Sequence, residues 1–298
     1  MISLVVCSIK SNYLTALKEN VDEMIGVEHE WLVWDNRTAT LGLTAVYNKM
    51  AAFAKFPYIC FLHEDILIQT RNWGKLLIDI CEKQQVSLVG VAGSKYKSKF
   101  FSGWYSGGKN LDYYHINHRG ETVDNILSWP EVWPSNEVEV ACIDGVFMFS
   151  TSLAWHQIKF DEKLLTGFHF YDIDYSFRVA TNNKVVVTNQ LDIIHFSTIG
   201  DFSDTWIEHA INWHKVMQNK LPFSVVKNNE PGTEVVVAKY WLDWLKNMNV
   251  SFSHKQEWIR LQNLYKHPAL WYSLGKFLFY KPLRLKRLHH FIINKRQH

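Results

Sequence analysis

Residues 57–68 restrict what this chain can fold into more than any other stretch. Apolar, strand-forming residues from Tyr58 to Leu62 are cut by His63, Glu64 and Asp65, and the apolar run resumes at Ile66, Leu67 and Ile68. Such a run reads as a buried strand of an α/β sheet, which puts its polar interruption at the strand's C-terminal end. Ligands of open α/β sheets bind at that end. Adjacent His, Glu and Asp there offer donors to a hard divalent cation, and they can also hydrogen-bond a ribose or a phosphate. An isolated triplet of this kind is more often a polar turn between two strands, so its meaning depends on the rest of the chain.

The flanking sequence supplies that context. Residues 2–7 form an apolar strand; residues 12–24 carry Leu14, Leu17, Val21 and Met24 at helical spacing, with Ser11 or Asn12 as the cap. Glu30 to Asn36 reads as a second strand ending in polar Asp35 and Asn36, and Leu41 to Lys55 as a helix whose Gly and Ala positions permit close packing. Strand, helix, strand, helix, strand is the order of a parallel sheet with crossover helices. A helix over 72–83 and a fourth strand over 87–93 continue it. From Ser94 to Ser135 the periodicity fades into a stretch rich in Gly, Lys and aromatics, including Phe100, Phe101, Trp104, Tyr105, Tyr113 and Tyr114. That composition suits a lid or a wall that stacks on sugar rings, and equally an ordinary surface loop. Residues 137–150 read as a strand broken at Asp144-Gly145. Residues 168–180 read as the start of a helix with acids in its first turn, and 184–188 and 193–197 as short extended segments. Helices are expected over 204–219 and 234–246.

Charge divides the chain unevenly. The net charge is +3, yet residues 251–298 hold ten Lys or Arg against one acid, Glu257, so the first 250 residues are acidic and the end is basic. An acidic body argues against a nucleic-acid partner. Four cysteines, Cys7, Cys60, Cys81 and Cys142, lie in apolar segments without zinc spacing, which fits reduced thiols and a cytoplasmic protein. No stretch is long and apolar enough to read as a transmembrane helix, and the N-terminus reads as a first strand and not as a signal segment.

Polar residues interrupt apolar elements at four places: Asp35-Asn36, His63-Glu64-Asp65, Tyr171-Asp172-Ile173-Asp174 and His195. Each alone is weak, a lone His being more often structural than a ligand. Their order resembles that of the GT-A glycosyltransferases, in particular the family-2-like inverting enzymes of bacteria. Asp35-Asn36 is similar to the acidic site that contacts the nucleoside, and Gly42 through Asn48 to Ala52 to the helix packed under the donor. His63-Glu64-Asp65 stands in the place of the D-x-D motif, with His63 replacing its first carboxylate. Tyr171-Asp172-x-Asp174 with Arg178 resembles the E-D-x-[DE] segment that supplies the base, with Tyr171 replacing its glutamate. His195 matches a C-terminal metal-ligand histidine.

The resemblance covers about residues 1–200 and implies an α/β fold of GT-A type, a mostly parallel central sheet flanked by helices, with a helical C-terminal extension. It implies a catalytic domain over 1–225, with the nucleotide-sugar donor site in 1–95 and the acceptor and base region in 96–225, followed by the basic extension 226–298. Cys7, Ser8, Asp35, Asn36, Gly42, Asn48, His63, Glu64 and Asp65 are the implied donor set, and Trp104, Asp144, Gly145 and Tyr171 the acceptor set. Asp65 and His195 are the implied ligands of a divalent cation, Mn2+ or Mg2+, and Asp172 is the base. The implied reaction is metal-dependent, inverting hexosyl transfer to a glycan or lipid-linked acceptor in bacterial surface polysaccharide synthesis. The chemistry concurs, since a diphosphate leaving group calls for a cation and an attacking hydroxyl for a carboxylate.

The rival is a non-catalytic GT-A-like protein that binds nucleotide sugars or serves as a scaffold. A nicotinamide-binding enzyme is excluded more firmly, because residues 7–12 contain no glycine. In the tail, Trp258, Leu261, Leu264, Tyr265, Trp271, Leu274, Phe277 and Leu278 recur at helical spacing beside crowded Lys and Arg. Such helices lie on an anionic surface, here the inner membrane face, or pack on the catalytic domain and leave a solvated basic surface.

Overall fold

The computed structural model of the protein describes residues 1–38, 41–118, 126–196, 202–227 and 231–279. Its first half alternates β1 (Ile2–Ser8), α1 (Ser11–Met24), β2 (His29–Asp35), α2 (Leu43–Ala51) and β3 (Tyr58–Leu62). β1 runs parallel to both β2 and β3, with Leu4 opposite Trp31 on one side and Cys60 on the other. Side chains alternate across the sheet, and both faces are covered. Leu4, Val6 and Leu62 pack with Leu17 and Val21 of α1 on one face. Val5, Ile59 and Phe61 pack with Val46 and Tyr47 of α2 on the other.

β3 leaves this sheet at Leu62, and after His63, Glu64 and Asp65 the chain enters a second sheet as β4 (Ile66–Ile68). α3 (Trp73–Gln84) follows, then β5 (Val86–Gly90) and β6 (Ala92–Ser94). The single strand expected over 87–93 is therefore two, divided at Val91, because its second half belongs to the second sheet. The stretch read as aperiodic contains β7 (Tyr96–Lys97), β8 (Asp112–His118) and β9 (Ile126–Trp129). Phe100, Phe101 and Tyr113 are buried, so these aromatics form core and not an open lid.

The strands β10 (Glu137–Glu139), β11 (Cys142–Ile143) and β12 (Phe147–Thr151) lead through α4 (Ser152–Gln157) to α5 (Tyr171–Ala180), β13 (Lys184–Thr188) and β14 (Ile193–His195). The seven-stranded sheet has the order β10-β13-β5-β12-β3-β1-β2, with β12 antiparallel between β3 and β5 and β10 antiparallel at the edge. The second sheet runs β11-β6-β8-β14-β4, with β9 on β8. This is the expected α/β architecture, with a central multi-stranded sheet between helices.

The C-terminal helices are α6 (Asp204–Met217), α7 (Thr233–Asn247), α8 (Phe252–Leu261) and α9 (Trp271–Phe279). Trp206, Trp241 and Trp258 stack through the middle of a third core cluster, with Trp206 and Trp241 centroids 5.3 Å apart. That cluster takes in Phe100 and Phe101, Phe170 and Phe177 around α5, and Leu264, Leu270, Leu274 and Phe277 from the tail. The apolar tail residues therefore pack on the body. Leu278 and the basic residues beyond Tyr280, on which the membrane reading also drew, lie outside the described side chains.

Lys97, in β7, ties the loop at Ser102 and Gly103 to His214 of α6 inside this cluster. It is fully buried, and its Nζ donates to Ser102 O, Ser102 Oγ and Gly103 O at 2.7–3.1 Å and to His214 Nε2 at 3.1 Å. His214 accepts there because its Nδ1 donates to Ala210 O. Burial pushes the Lys97 ammonium down to about 7. Lys97→Ala would strip a partner from four buried acceptors, so unfolding in urea should show a loss of about 3 kcal/mol or more. An unchanged midpoint would contradict this role.

Candidate functional site

The site assembles where β1, β3 and β14 end and α5 begins. Glu64, 9% exposed, accepts hydrogen bonds from Ser8 Oγ at 2.7 Å and from the backbone N–H groups of Ile9 and Lys10 at 3.1 Å. The expected side-chain cap of α1 is absent: the N-cap is Lys10, with no side-chain hydrogen bond. Glu64 instead receives N–H groups of the turn that leads into the helix. The structure thus gives Glu64 a scaffolding task, holding the turn that carries Ser8.

Strand pairing sets Asp35 opposite Ser8, and Asn36 N donates to Ser8 O at 2.8 Å. Asp35 is exposed at the mouth, and the Arg37 guanidinium holds its carboxyl down at about 2. Cys7 lies beneath; burial first, then the Glu64 charge, push its thiol up to about 11, so it is neither a nucleophile nor a soft ligand at neutral pH. Gly42 caps α2, and an added Cβ would stand 2.0 Å from Thr166 O, so only glycine allows this approach of two backbones. Asn48 is buried, donating to Phe160 O and Glu162 Oε1 and accepting from Trp155 Nε1 and Phe160 N. Its amide is consumed in tying α2 to residues 155–162.

His63, Asp65 and His195 converge. One candidate ligand atom from each lies within 4.8 Å of the others, and all three side chains are half-buried. His195 Nε2 is 3.4 Å and His63 Nδ1 4.0 Å from Asp65 Oδ1. Pairing of β14 with β4 brings His195 there, and Phe196 N donates to Asp65 O at 2.9 Å. Burial, then the neighbouring His195, push His63 down to about 4, so its ring is neutral. Burial tends to raise Asp65, but its hydrogen bond and charge interaction with His195 leave it below the usual carboxylate range. Two imidazole nitrogens and one carboxylate oxygen are a donor set that fits Mn2+ or a similar divalent ion. The sequence analysis placed His63 among donor contacts; the structure adds it to the group able to hold a cation.

The acid pair lies across Tyr171. Asp172, in the first turn of α5, accepts from Gly145 N at 2.9 Å. Asp144 accepts from Val146 N at 2.9 Å and from Trp104 Nε1 at 2.8 Å. Burial, then repulsion from Asp144, push Asp172 up to about 7. Gly145 permits the approach, since a Cβ there would meet the Tyr171 hydroxyl at 2.1 Å. Asp174 is otherwise engaged: buried, it is bound by Arg178 Nε at 2.9 Å and by Trp213 Nε1 at 3.1 Å. Arg178 is thereby a partner of the helix, and its NH2 group also donates to Lys159 O.

Aromatic side chains complete the surround. Trp104 is half-exposed, with the rings of Tyr105 and Tyr114 at 5.5 and 6.4 Å. Phe168, 57% exposed, sets its ring 5.9 Å from that of His63. Sequence reasoning passed over Phe168, although the run Phe168-His-Phe-Tyr171 directly before the acids was a visible signal.

The description "Glycosyltransferase like family" matches residues 3–221 of the chain. Among solved structures the chain is similar to S. aureus TarS, at 13% identity and a TM-score of 0.51, over 95% of this chain and 49% of that one. It is also similar to GalNAc-T7 crystallised with UDP, GalNAc and Mn2+, at 9% identity and a TM-score of 0.50, over 90% of this chain and 57% of that one. The chain thus spans about half the length of these two neighbours, and at such identities the likeness speaks for the fold. No curated protein sequence matches. With a matched segment that takes in the His63-Glu64-Asp65 turn, the Asp144–Asp172 pair and His195, the chain belongs to the glycosyltransferase-like family and is a family-2-like glycosyltransferase on the GT-A fold.

Proposed function

We propose that the protein moves a sugar from a nucleoside-diphosphate donor to a glycan or lipid-linked hydroxyl with inversion, in bacterial surface polysaccharide synthesis. The observation that carries this reading is the placement of the His63, Asp65 and His195 group and the Asp144 and Asp172 pair on either side of Tyr171. Asp35, Asn36 and the Ser8 turn held by Glu64 line the nucleoside end. His63, Asp65 and His195 would hold Mn2+ or Mg2+, and the ion would supply Lewis-acid stabilisation of the diphosphate leaving group. Asp172 receives the proton of the acceptor hydroxyl as its oxygen bonds to the anomeric carbon and the bond to the diphosphate breaks. One carboxylate acting on the face opposite the leaving group gives inversion. Trp104, turned by Asp144, and Gly145 border the acceptor. Residues 1–225 carry this machinery, and the described residues of the extension 226–298 pack on it through Trp258, Leu264, Leu270, Leu274 and Phe277.

These assignments are open to direct test. A thermal-shift screen of nucleoside diphosphates should find one that stabilises the protein in Mn2+ by about 2.7 kcal/mol at 100 times its Kd. Asp65→Ala should abolish the Mn2+-dependent part of that shift; an equal shift in Mn2+ and EDTA would remove the cation from the account.

Asp172→Asn should lower turnover about 100-fold or more with donor affinity nearly unchanged. A base works deprotonated, so wild-type turnover should be full above about pH 7 and fall as pH drops through it. Near-normal turnover of the variant would move the role to Asp144.

The membrane reading now rests on fewer residues. Trp258, Leu264, Leu274 and Phe277 are buried, whereas Trp271 and Tyr272 are 60% and 73% exposed, with Lys276 Nζ 4.2 Å from the Tyr272 ring centroid. Among the described residues no helix is long and apolar enough to cross a membrane. Exposed Trp and Tyr beside Lys suit the surface of an anionic bilayer, on the inner face if the free thiols report a reducing cytoplasm. The full chain should float with anionic liposomes at low salt, and changing Trp271 and Tyr272 together to Ser should release it. Equal flotation of both forms would exclude this patch.

A further inference from the structure

The two positions at which the chain departs from the family pattern touch each other. His63 stands where the resemblance has the first acid of D-x-D, and Tyr171 where it has a glutamate. His63 Nε2 lies 2.8 Å from the Tyr171 hydroxyl, 108 residues apart in sequence.

The Tyr171 hydroxyl has one proton and three polar neighbours: His63 Nε2, the Tyr47 side chain, and Gly145 O at 3.1 Å, which can only accept. With the Tyr171 proton on Gly145 O, His63 Nε2 carries a hydrogen and donates to the Tyr171 oxygen. In the neutral ring this leaves a lone pair on Nδ1. That atom faces Asp65 Oδ1 at 4.0 Å, a distance too long for a hydrogen bond. Two electron-pair donors held apart in this way, with His195 Nε2 at 3.4 Å from the same oxygen, leave an arrangement that could hold a shared cation.

We propose that Tyr171 is a positioning residue for the cation: its hydroxyl, anchored on Gly145 O, holds His63 in the tautomer and orientation that present Nδ1 as a third ligand beside Asp65 and His195. The inference rests on the cation reading of the site and adds a residue that touches no ion. A carboxylate ligand needs no tautomer chosen for it, whereas an imidazole ligand is set by the bond its other nitrogen makes. This explains why the two departures come as a pair. Tyr171 also begins α5, so the same hydroxyl links the cation group to the helix that carries Asp172.

The test is Mn2+ binding by the full chain, read by electron paramagnetic resonance, with Mn2+ alone and with UDP, GDP, ADP, CDP or dTDP. Wild type, Tyr171→Phe, His63→Asp and the double variant are compared, with near-ultraviolet circular dichroism to confirm folding. Tyr171→Phe should weaken Mn2+ about 10-fold or more. In the His63→Asp background the same change should cost nothing, since a carboxylate has no tautomer to lose. His63→Ala serves as the background if His63→Asp does not fold. Wild-type affinity in Tyr171→Phe, or an equal loss in both backgrounds, overturns the proposal by reducing Tyr171 to packing. If wild type binds no Mn2+ under any of these conditions, the cation reading itself falls and takes this inference with it.

Discussion

A carboxylate buried at Glu64 must find hydrogen-bond donors, and the way it finds them shapes the whole site. Its oxygens draw in Ser8 Oγ and two backbone N–H groups of the turn after β1. An unpaired charge at this depth would be strongly destabilising. The bond therefore joins the exits of the first and third strands, and because β2 is paired with β1, it also sets Asp35 beside Ser8. On either side of Glu64 the chain crosses from one sheet to the other. His63 and Asp65 are thereby left at the seam, where β14 delivers His195 from the second sheet.

The side of the site that carries Asp144 and Asp172 depends on different forces. α5 is pinned by a buried ion pair, Asp174 with Arg178, and by Trp213, which leaves Asp172 as the first-turn acid directed at Gly145. Burial, then repulsion from Asp144, raises Asp172 into the range useful to a base, while Asp144 is held in place by Trp104 Nε1. Trp104 in turn sits on the loop that Lys97 holds at Ser102 and Gly103, and that loop is buttressed by the tryptophans of α6, α7 and α8. The C-terminal helices are for this reason part of the support of Trp104 and Asp144.

Local pattern made much of this legible in the sequence. Apolar runs ending in Asp35, in His63 to Asp65 and in His195 marked strand exits, and the acids of Tyr171 to Asp174 marked a helix start, because each signal is contained in a few adjacent residues. What stayed hidden depends on partners distant in the chain. The antiparallel strands β8 and β9 show no clean alternation of apolar and polar residues in the sequence. Val91 divides a continuous apolar run because its two halves pair with different sheets. The tasks of Asn48 and Glu64 follow from donors and acceptors more than 50 residues away. His63 looked like a donor contact until β14 brought His195 to within a ring-to-ring distance of 5.7 Å.

The central claim is that the seam between the sheets holds one divalent cation on His63, Asp65 and His195. Crystals soaked in Mn2+ with a stabilising nucleoside diphosphate, measured at a wavelength where manganese scatters anomalously, test it directly. The account predicts one anomalous peak at about 2.0–2.3 Å from His63 Nδ1, an Asp65 carboxylate oxygen and His195 Nε2. A peak that leaves out His63 or His195, or nucleotide bound with no peak at the seam, would contradict it.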